Sequence, residues 1–426
     1  MRFLVLDHYF GQDIEALLAT AGDEIAFDVM PFEHLRAEAL RVFPIEVATG
    51  LEAFARPELE PERTRYAAVL REILEDRFTS APFDGIVLPS DTFFYVRAAP
   101  VLAHALGVPL VVVQKETTIS EHTMRVHSQS VRRYAPPVAD RMTVCSERQR
   151  EFWLRAGADP STISVTGQPR FDFYVKQTAP GAGPADPRVL FLSYAVDAYH
   201  PEEGGRANPW LELHRQTEQG LEQLARDGWR VLIKPHPQQS IEVVQAWRER
   251  SPHLWEDRIS LVDPDADARK LIVSSDVIVG FQTTALLEAM LAGRPVVYTG
   301  WDEQAVGMSR DLIPFHDWGA EITVLDRPES LPGAVAALRG TRCEEDVLSR
   351  RRAIAEEYLG PLDGRASERV LSILTGEASS WAERRAPAQE ALRRRLSERR
   401  APLRLSRRTR AGLRTARRRV GAMLGR

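Results

Sequence analysis

The sequence predicts an α/β protein built from two Rossmann-like, doubly wound domains that face a cleft, followed by a basic helical tail. Strand and helix signals alternate over residues 1–175 and again over residues 188–380, a pattern typical of parallel sheets covered by helices. Between the two sets, residues 179–187 are rich in proline, glycine and alanine, which indicates a linker. A chain of 426 residues is also longer than one ordinary core requires.

The first predicted domain, residues 1–175, contains short runs of apolar and often β-branched residues. These runs predict strands at residues 3–6, 25–29, 85–89, 108–114, 142–145 and 163–165. Helices are predicted between them at residues 13–21, 61–78, 96–106 and 147–156. Gly22 and Gly107 mark two helix ends, because glycine readily adopts the left-handed conformation that stops a helix.

The second predicted domain, residues 188–380, repeats this alternation. Its strands are predicted at residues 189–192, 231–233, 259–262, 277–279 and 296–298. Helices are predicted at residues 210–226 and 241–249, and a closing helical segment at residues 353–374 is interrupted near Gly360 and Pro361. No internal repeat of solenoid length is present, which argues against a repeat architecture. Because the linker precedes it, the second set of strands is predicted to form a domain of its own.

Polar residues follow two strands of the second domain. Lys234 and His236 stand between prolines at the end of one strand, and Thr283 and Thr284 follow another strand and open a helix. Ligands bind at the carboxyl ends of parallel strands, and anions bind at helix N-termini. We therefore predict that these residues bind the phosphates of a nucleotide. The alternatives are that His236 caps the strand, Lys234 is a solvated charge and the threonines cap the helix.

Two further residues are candidates for the same ligand. Glu288 lies one turn into the predicted helix, where its carboxylate could hold a ribose. Arg170 ends the first domain and would line the cleft, where it either binds phosphate as a guanidinium fork or pairs with Asp172 as a structural hinge. The sequence has no recognisable metal-ligand cluster, so we expect neither a metal nor a cofactor.

These motifs resemble those of the GT-B glycosyltransferase superfamily. They are most similar to the branch that holds CDP-glycerol glycerophosphotransferases, capsule Kdo transferases and bacterial polysialyltransferases. The resemblance covers about residues 140–372 and is carried, in order, by residues 166–172, the Lys234-Pro235-His236-Pro237 run, residues 275–295 and residues 360–370. It implies that His236, Thr283 and Thr284 bind the donor phosphate. The chain departs from many relatives by carrying a Thr-Thr pair where they have Ser-Ser.

The resemblance also implies a general base in a strand-end loop of the first domain. Glu116 follows a strongly apolar strand and fits the acidic form of this motif, while Asp91 and His122 are rival candidates. A base needs only to lie within hydrogen-bond reach of the hydroxyl it deprotonates. The alternative is that Glu116 forms a solvated ion pair with Lys115 at the end of the strand.

The C-terminal tail, predicted at residues 381–426, is strongly basic. From Glu383 to Arg426 it has 16 arginines and three acids, a net charge of +13. Its last part places Leu413, Val420 and Leu424 on one helical face. We expect residues 384–426 to contact an anionic membrane surface, the alternative being a disordered basic extension. The tail lacks the interleaved aromatic residues typical of nucleic-acid binding, so we expect no nucleic-acid partner.

Three functions are compatible with the sequence. The leading prediction is a transferase that moves a group from a nucleotide-linked donor to a glycan or lipid-linked acceptor. The alternatives are a nucleotide-sugar epimerase of the UDP-N-acetylglucosamine 2-epimerase type and a non-catalytic nucleotide-binding scaffold. Two cysteines without metal spacing, and a start without signal-peptide features, predict a cytoplasmic protein. The basic tail would place it at the inner face of the plasma membrane.

Overall fold

The computed structural model describes residues 1–7, 10–48, 50–115, 120–176, 186–194, 208–236, 241–263, 266–309 and 312–400. Its strands are β1 (Arg2–Asp7), β2 (Ala26–Pro31), β3 (Gly85–Leu88), β4 (Leu110–Val113), β5 (Arg141–Val144), β6 (Ile163–Val165), β7 (Arg188–Leu192), β8 (Arg230–Lys234), β9 (Ile259–Leu261), β10 (Val277–Gly280), β11 (Val296–Tyr298) and β12 (Thr323–Val324).

The helices alternate with these strands along the chain. They are α1 (Gly11–Thr20), α2 (Phe32–Leu40), α3 (Leu51–Ala55), α4 (Glu60–Ser80), α5 (Ala99–Ala105), α6 (Ser128–Tyr134), α7 (Glu147–Arg155), α8 (Asp172–Lys176), α9 (Pro209–Arg226), α10 (Ile241–Arg250), α11 (Pro252–Asp257), α12 (Ala268–Val273), α13 (Ala285–Leu291), α14 (Glu303–Ser309), α15 (Leu331–Ala337), α16 (Glu345–Leu359), α17 (Ala366–Ser380) and α18 (Ala382–Arg400).

The first six strands form one parallel sheet in the order β2-β1-β3-β4-β5-β6. All residues of β3 and β4 are buried, because helices cover both faces of the sheet. This double burial explains why these strands appear in the sequence as uninterrupted apolar runs. Every predicted strand of the first domain is present, although the boundaries differ by a few residues.

The remaining strands form a second parallel sheet in the order β12-β11-β10-β7-β8-β9. The direction in which successive strands are added reverses at β7, which has β8 on one side and β10 on the other. In doubly wound sheets, ligands bind at this switch point, outside the carboxyl ends of the strands. The predicted fold class, two Rossmann-like doubly wound domains, is confirmed. The two-residue strand β12 was not predicted, because two residues are too few to show a strand pattern.

The chain returns to the first domain after α16. Gly360 has φ +88°, and a Cβ atom there would lie 1.6 Å from the Cys145 carbonyl oxygen. Only glycine therefore permits this crossing. Beyond it, α17 packs Val370 and Leu374 against Phe3 of the first sheet. The predicted segment 188–380 thus ends in a helix that covers the first domain.

The beginning of the predicted tail forms α18, which also packs against the first domain. Leu392 is 4% exposed within the core of that domain. Arg395 pairs with Glu75 of α4, and Arg385 pairs with Asp84 before β3. Residues 401–426, including the predicted amphipathic face, lie outside the described residues. In the part of the chain that is described, no helix is long and apolar enough to cross a membrane.

Candidate functional site

The predicted phosphate-binding residues lie at the ends of strands on either side of β7. Leu192, the last residue of β7, pairs with Lys234 of β8 and with Gly280 of β10. His236 follows β8, and the Thr283–Thr284 pair follows β10. Parallel strands end at one edge of a sheet, so the structure brings these residues together at the switch point of the second sheet.

Lys234 is fixed at this edge by the sheet itself. Its carbonyl oxygen accepts a hydrogen bond of 3.0 Å from the Ser193 N–H. The Lys234 residue is only 9% exposed, which contradicts the alternative of a solvated surface charge. His236 is half-buried beside it. A largely enclosed ammonium at a strand end is suited to an anionic ligand, because water screens it poorly.

The loop before α13 has a constrained backbone. Gln282 has φ +44°, a left-handed conformation that costs a non-glycine residue about 1 kcal/mol or more. Its side chain is held by the backbone of Ile313, which donates at 3.1 Å and accepts at 2.8 Å. It also donates to the Tyr298 hydroxyl at 3.0 Å. These contacts set the direction in which the following threonines leave the loop.

The two threonines differ in their roles at α13. The Thr283 hydroxyl accepts a long hydrogen bond of 3.4 Å from the Ala285 N–H, as a weak helix cap. The Thr284 side chain makes no cap bond to the helix. Both residues are partly exposed. Thr284 is therefore the better placed of the two to contact a ligand.

Glu288 is occupied by a neighbouring phenol. The Tyr174 hydroxyl donates to Glu288 Oε2 at 2.7 Å. Burial raises the pKa of the Glu288 carboxyl, and the nearby Arg170 charge partly offsets this rise. Burial and the Glu288 charge likewise raise the pKa of Tyr174. A ribose at Glu288 would have to share or replace the phenol hydrogen bond.

Arg170, near the end of the first domain, contacts an acid of α1 that sequence reasoning did not identify. Its Nη1 lies 3.8 Å from Asp13 Oδ2, and its backbone N–H donates to Asp13 Oδ1 at 3.1 Å. The proposed hinge pair with Asp172 is wrong, because Asp172 instead accepts the backbone N–H groups of Ala366 and Ser367 at the start of α17. Burial raises the pKa of Asp13, while Arg170 opposes that rise.

Arg269 of α12 makes a contact between the domains. Its guanidinium is 2.6 Å from Glu15 of α1 and 2.9 Å from Asp267 of its own domain. Arg269 is 4% exposed and lies over the Phe173 ring at 5.0 Å. It thereby holds the N-terminal part of α1 against the second domain.

The candidate bases of the first domain have different surroundings. Asp91 is fully buried, and its Oδ2 accepts the N–H groups of Val138 and Ala139 at 2.7 and 3.1 Å. Its Oδ1 accepts no hydrogen bond within the described residues. Burial raises the pKa of Asp91, and the Val138 hydrogen bond opposes the rise. Glu116 lies outside the described residues, and His122 is exposed.

The structure also reveals polar residues that sequence reasoning missed. Ser193 follows β7 directly, and its hydroxyl lies 2.9 Å from His214 Nε2. His214 Nδ1 lies 3.1 Å from Glu218 Oε1, and all three residues are buried. The i, i+4 spacing of His214 and Glu218 in a predicted helix was a usable signal, because it places both on one face. The approach of Ser193 could not be seen in the sequence.

No metal site is apparent in the described residues, where no group of three or more His, Cys, Asp and Glu side chains could hold an ion.

The comparisons with known proteins bear on the fold. No protein-family model and no curated protein sequence matches the chain. Among solved structures, it is similar to UDP-GlcNAc 2-epimerase from Neisseria meningitidis bound to UDP-GlcNAc, with 14% identity, TM-score 0.52, and coverage of 88% of this chain and 100% of that chain. For UDP-GlcNAc 2-epimerase from Methanocaldococcus jannaschii the identity is 14%, the TM-score 0.50, and the coverage 88% and 99%.

The chain therefore has the GT-B fold, which these epimerases share with glycosyltransferases. The leading prediction of a transferase is wrong, because the matching structures are of 2-epimerases and favour its alternative. The predicted branch of glycerophosphotransferases, Kdo transferases and polysialyltransferases gains no support either. The prediction of transfer failed because any enzyme of this fold that binds a nucleotide sugar needs phosphate-binding residues at these strand ends. Such motifs do not distinguish transfer from epimerisation.

Proposed function

We propose that the chain is a nucleotide-sugar enzyme of the 2-epimerase type, acting on a uridine diphosphate N-acetylhexosamine. The observation that carries this proposal is the meeting of Lys234, His236 and the Thr283–Thr284 pair around β7, in a fold similar to that of UDP-GlcNAc 2-epimerases. An ammonium, an imidazole and hydroxyl groups at one sheet edge match the diphosphate of such a substrate.

The other candidates have roles around this diphosphate. Glu288 would accept ribose hydroxyl groups in place of, or together with, the Tyr174 hydroxyl. Arg170 adds positive charge next to Glu288 while remaining paired with Asp13. The nucleotide sugar is a substrate, and the proposal includes neither a metal nor a cofactor.

Inverting carbon 2, which no carbonyl group activates, requires a base that removes its proton while the bond from carbon 1 to UDP breaks and a C1–C2 double bond forms. An acid then returns a proton to the opposite face of carbon 2 as UDP adds back to carbon 1. Asp91 has an oxygen without a hydrogen bond among the described residues, and burial raises its pKa, so it holds a proton more readily than an ordinary aspartate. It suits the acid. Glu116 or His236 would act as the base.

The test is direct observation of the sugar. Purified protein is incubated with UDP-GlcNAc, and proton NMR follows the anomeric signals for UDP-N-acetylmannosamine, with solvent deuterium incorporated at carbon 2. Thermal shift assays with UDP, CDP, GDP and CMP test which nucleotide the protein binds. Lys234→Ala and His236→Ala should each weaken UDP binding by about 10-fold or more, the usual effect of losing a charge-assisted hydrogen bond.

The matched control is Arg393→Ala, an exposed arginine far along the chain on α18. Failure of UDP and UDP-GlcNAc to bind the wild-type protein would contradict the proposal. Binding without any change in the sugar would instead support the non-catalytic scaffold.

We also propose that residues 401–426 contact an anionic membrane surface. This segment has nine arginines and no acid, and near an anionic leaflet each basic residue contributes about 1 kcal/mol. Truncation after Arg400 should abolish sedimentation with phosphatidylserine vesicles at low salt. Equal sedimentation of the truncated and full-length proteins would contradict it.

A further inference from the structure

Behind the switch point of the second sheet, Ser193, His214 and Glu218 form a continuous hydrogen-bonded series. The Ser193 hydroxyl lies 2.9 Å from His214 Nε2, and His214 Nδ1 lies 3.1 Å from Glu218 Oε1. Glu218 also accepts from Arg250 of α10, whose side chain is 52% exposed. We propose that Ser193 contacts the substrate diphosphate and that His214, positioned by Glu218, takes up one proton when the substrate binds.

The position of Ser193 carries the first part of this inference, which rests on the proposed function. Ser193 continues β7, the strand between Lys234 and Gly280, and its N–H donates to the Lys234 carbonyl oxygen. It is therefore the middle residue of the edge where the phosphate-binding candidates meet. Ser193 is 3% exposed, as expected for the floor of a narrow site rather than its rim.

The hydrogen-bond donors and acceptors around His214 support the second part of the inference, the uptake of a proton. A neutral imidazole has one N–H, and the Glu218 carboxylate, which accepts only, requires it on Nδ1. His214 Nε2 is then an acceptor, and the single hydrogen of the Ser193 hydroxyl points toward it. In this state the hydroxyl offers only lone pairs to a ligand. A phosphate oxygen at Ser193 would be repelled.

Protonation of His214 reverses this arrangement. The imidazolium donates from Nδ1 to Glu218 and from Nε2 to Ser193 Oγ, which releases the hydroxyl hydrogen for a phosphate oxygen. The proton comes from solvent, and no covalent bond is formed or broken. A charge-assisted pair with Glu218 offsets the cost of holding the imidazolium in a buried position.

The groups around the imidazole permit this change. Among the described residues, the titratable and charged groups that lie near the imidazole or its partners are Glu218 and Arg215 on α9, Arg250 on α10, Lys234 at the end of β8 and Tyr194 after β7. The ring centroid of Tyr194 is 5.1 Å from that of His214. Glu218 is the acid of this set and is shared with Arg250. In both states of His214 the Glu218 carboxylate therefore keeps Arg250 as a cationic partner.

Calorimetric titration of UDP-GlcNAc at pH 8, in buffers with different heats of ionisation, measures proton uptake. The phosphates of this ligand do not titrate near that pH. The wild-type protein should take up close to one proton per ligand. His214→Gln should abolish this uptake, and Ser193→Ala should weaken binding about 10-fold or more while its melting temperature stays near that of the wild type.

His236→Gln is the matched control for a second histidine at the same edge. It should weaken binding yet keep the proton uptake of the wild type. A binding heat that does not depend on the buffer, or full affinity in Ser193→Ala, would overturn the proposal while leaving the proposed function intact. If UDP-GlcNAc fails to bind the wild-type protein, the proposed function itself fails.

Nitrogen NMR of histidine-labelled protein adds a measurement whose first part needs no ligand. The His214 signals, assigned by comparison with His214→Gln, should show a neutral ring protonated on Nδ1 at pH 8 and an imidazolium after UDP-GlcNAc is added. A ring protonated on Nε2 in the free protein would refute the arrangement, even if the variants fold poorly.

Discussion

Replacing Arg395 with alanine should destabilise the first domain through the acid that it leaves behind. The Glu75 side chain is 5% exposed in α4 and pairs with Arg395, whose own side chain is 43% exposed. Removing one partner of a fully buried ion pair costs about 3–5 kcal/mol, because the remaining charge is desolvated without compensation. Water reaches Arg395, so the expected loss in the free energy of unfolding is smaller, about 1–3 kcal/mol.

A double-mutant cycle isolates this effect. Glu75→Gln removes the buried charge and leaves a half-exposed arginine, which costs little. Glu75→Gln combined with Arg395→Ala should therefore be more stable than Arg395→Ala alone, with a coupling of about 1 kcal/mol or more. Arg393→Ala, an exposed arginine on the same helix, is the control and should stay within about 0.5 kcal/mol of the wild type.

Urea unfolding measures the free energies, and hydrogen exchange of peptides from residues 60–80 and 382–400 shows where the loss occurs. Equal midpoints for Arg395→Ala and Arg393→Ala would refute the reasoning. So would a double variant no more stable than Arg395→Ala. In either case α18 would contribute nothing through Glu75, and its docking would depend on its other contacts, such as those of Leu392 and Arg385.

Further predictions concern the tail, the buried carboxyls and the ribose candidate. Truncation after Ser380 removes Leu392 and should lower the urea midpoint well beyond truncation after Arg400, because losing a buried leucine side chain alone costs about 2–5 kcal/mol; equal midpoints would argue against docking of α18. Asp91→Asn should become more stable relative to the wild type as the pH rises from about 4 to 8. The reason is that burial raises the folded-state pKa of Asp91. The contribution of Asp91 to the free energy of unfolding is therefore present below its unfolded-state pKa of about 3.9 and is lost as the pH rises through the folded-state pKa. Urea midpoints of Asp91→Asn and the wild type across this pH range test the direction of the change. A difference between the two midpoints that does not vary with pH would contradict the prediction. Tyr174→Phe should cost about 1–3 kcal/mol, since Glu288 loses its hydrogen-bond donor. Saturating UDP should reduce that loss if ribose hydroxyl groups replace the phenol, and thermal unfolding with and without UDP decides this.

Local patterns in the sequence were enough to predict the fold class and the phosphate-binding candidates of the site. Buried parallel strands appear as apolar runs, and the residues that follow them lie at one edge, so Lys234, His236, Thr283 and Thr284 were identifiable without coordinates. The same patterns did not determine the reaction. Phosphate-binding residues at strand ends serve transferases and epimerases alike, which is why the leading prediction of transfer was wrong.

Only the tertiary structure decided which distant residues meet. Arg170 pairs with Asp13 rather than with the nearby Asp172, because α1 packs on the segment around Arg170. Ser193 reaches His214 only because α9 folds back over β7. The helices α17 and α18 return to the first domain, although they follow the second in sequence. Such contacts depend on the packing of apolar surfaces far apart in the chain, and no local periodicity records them.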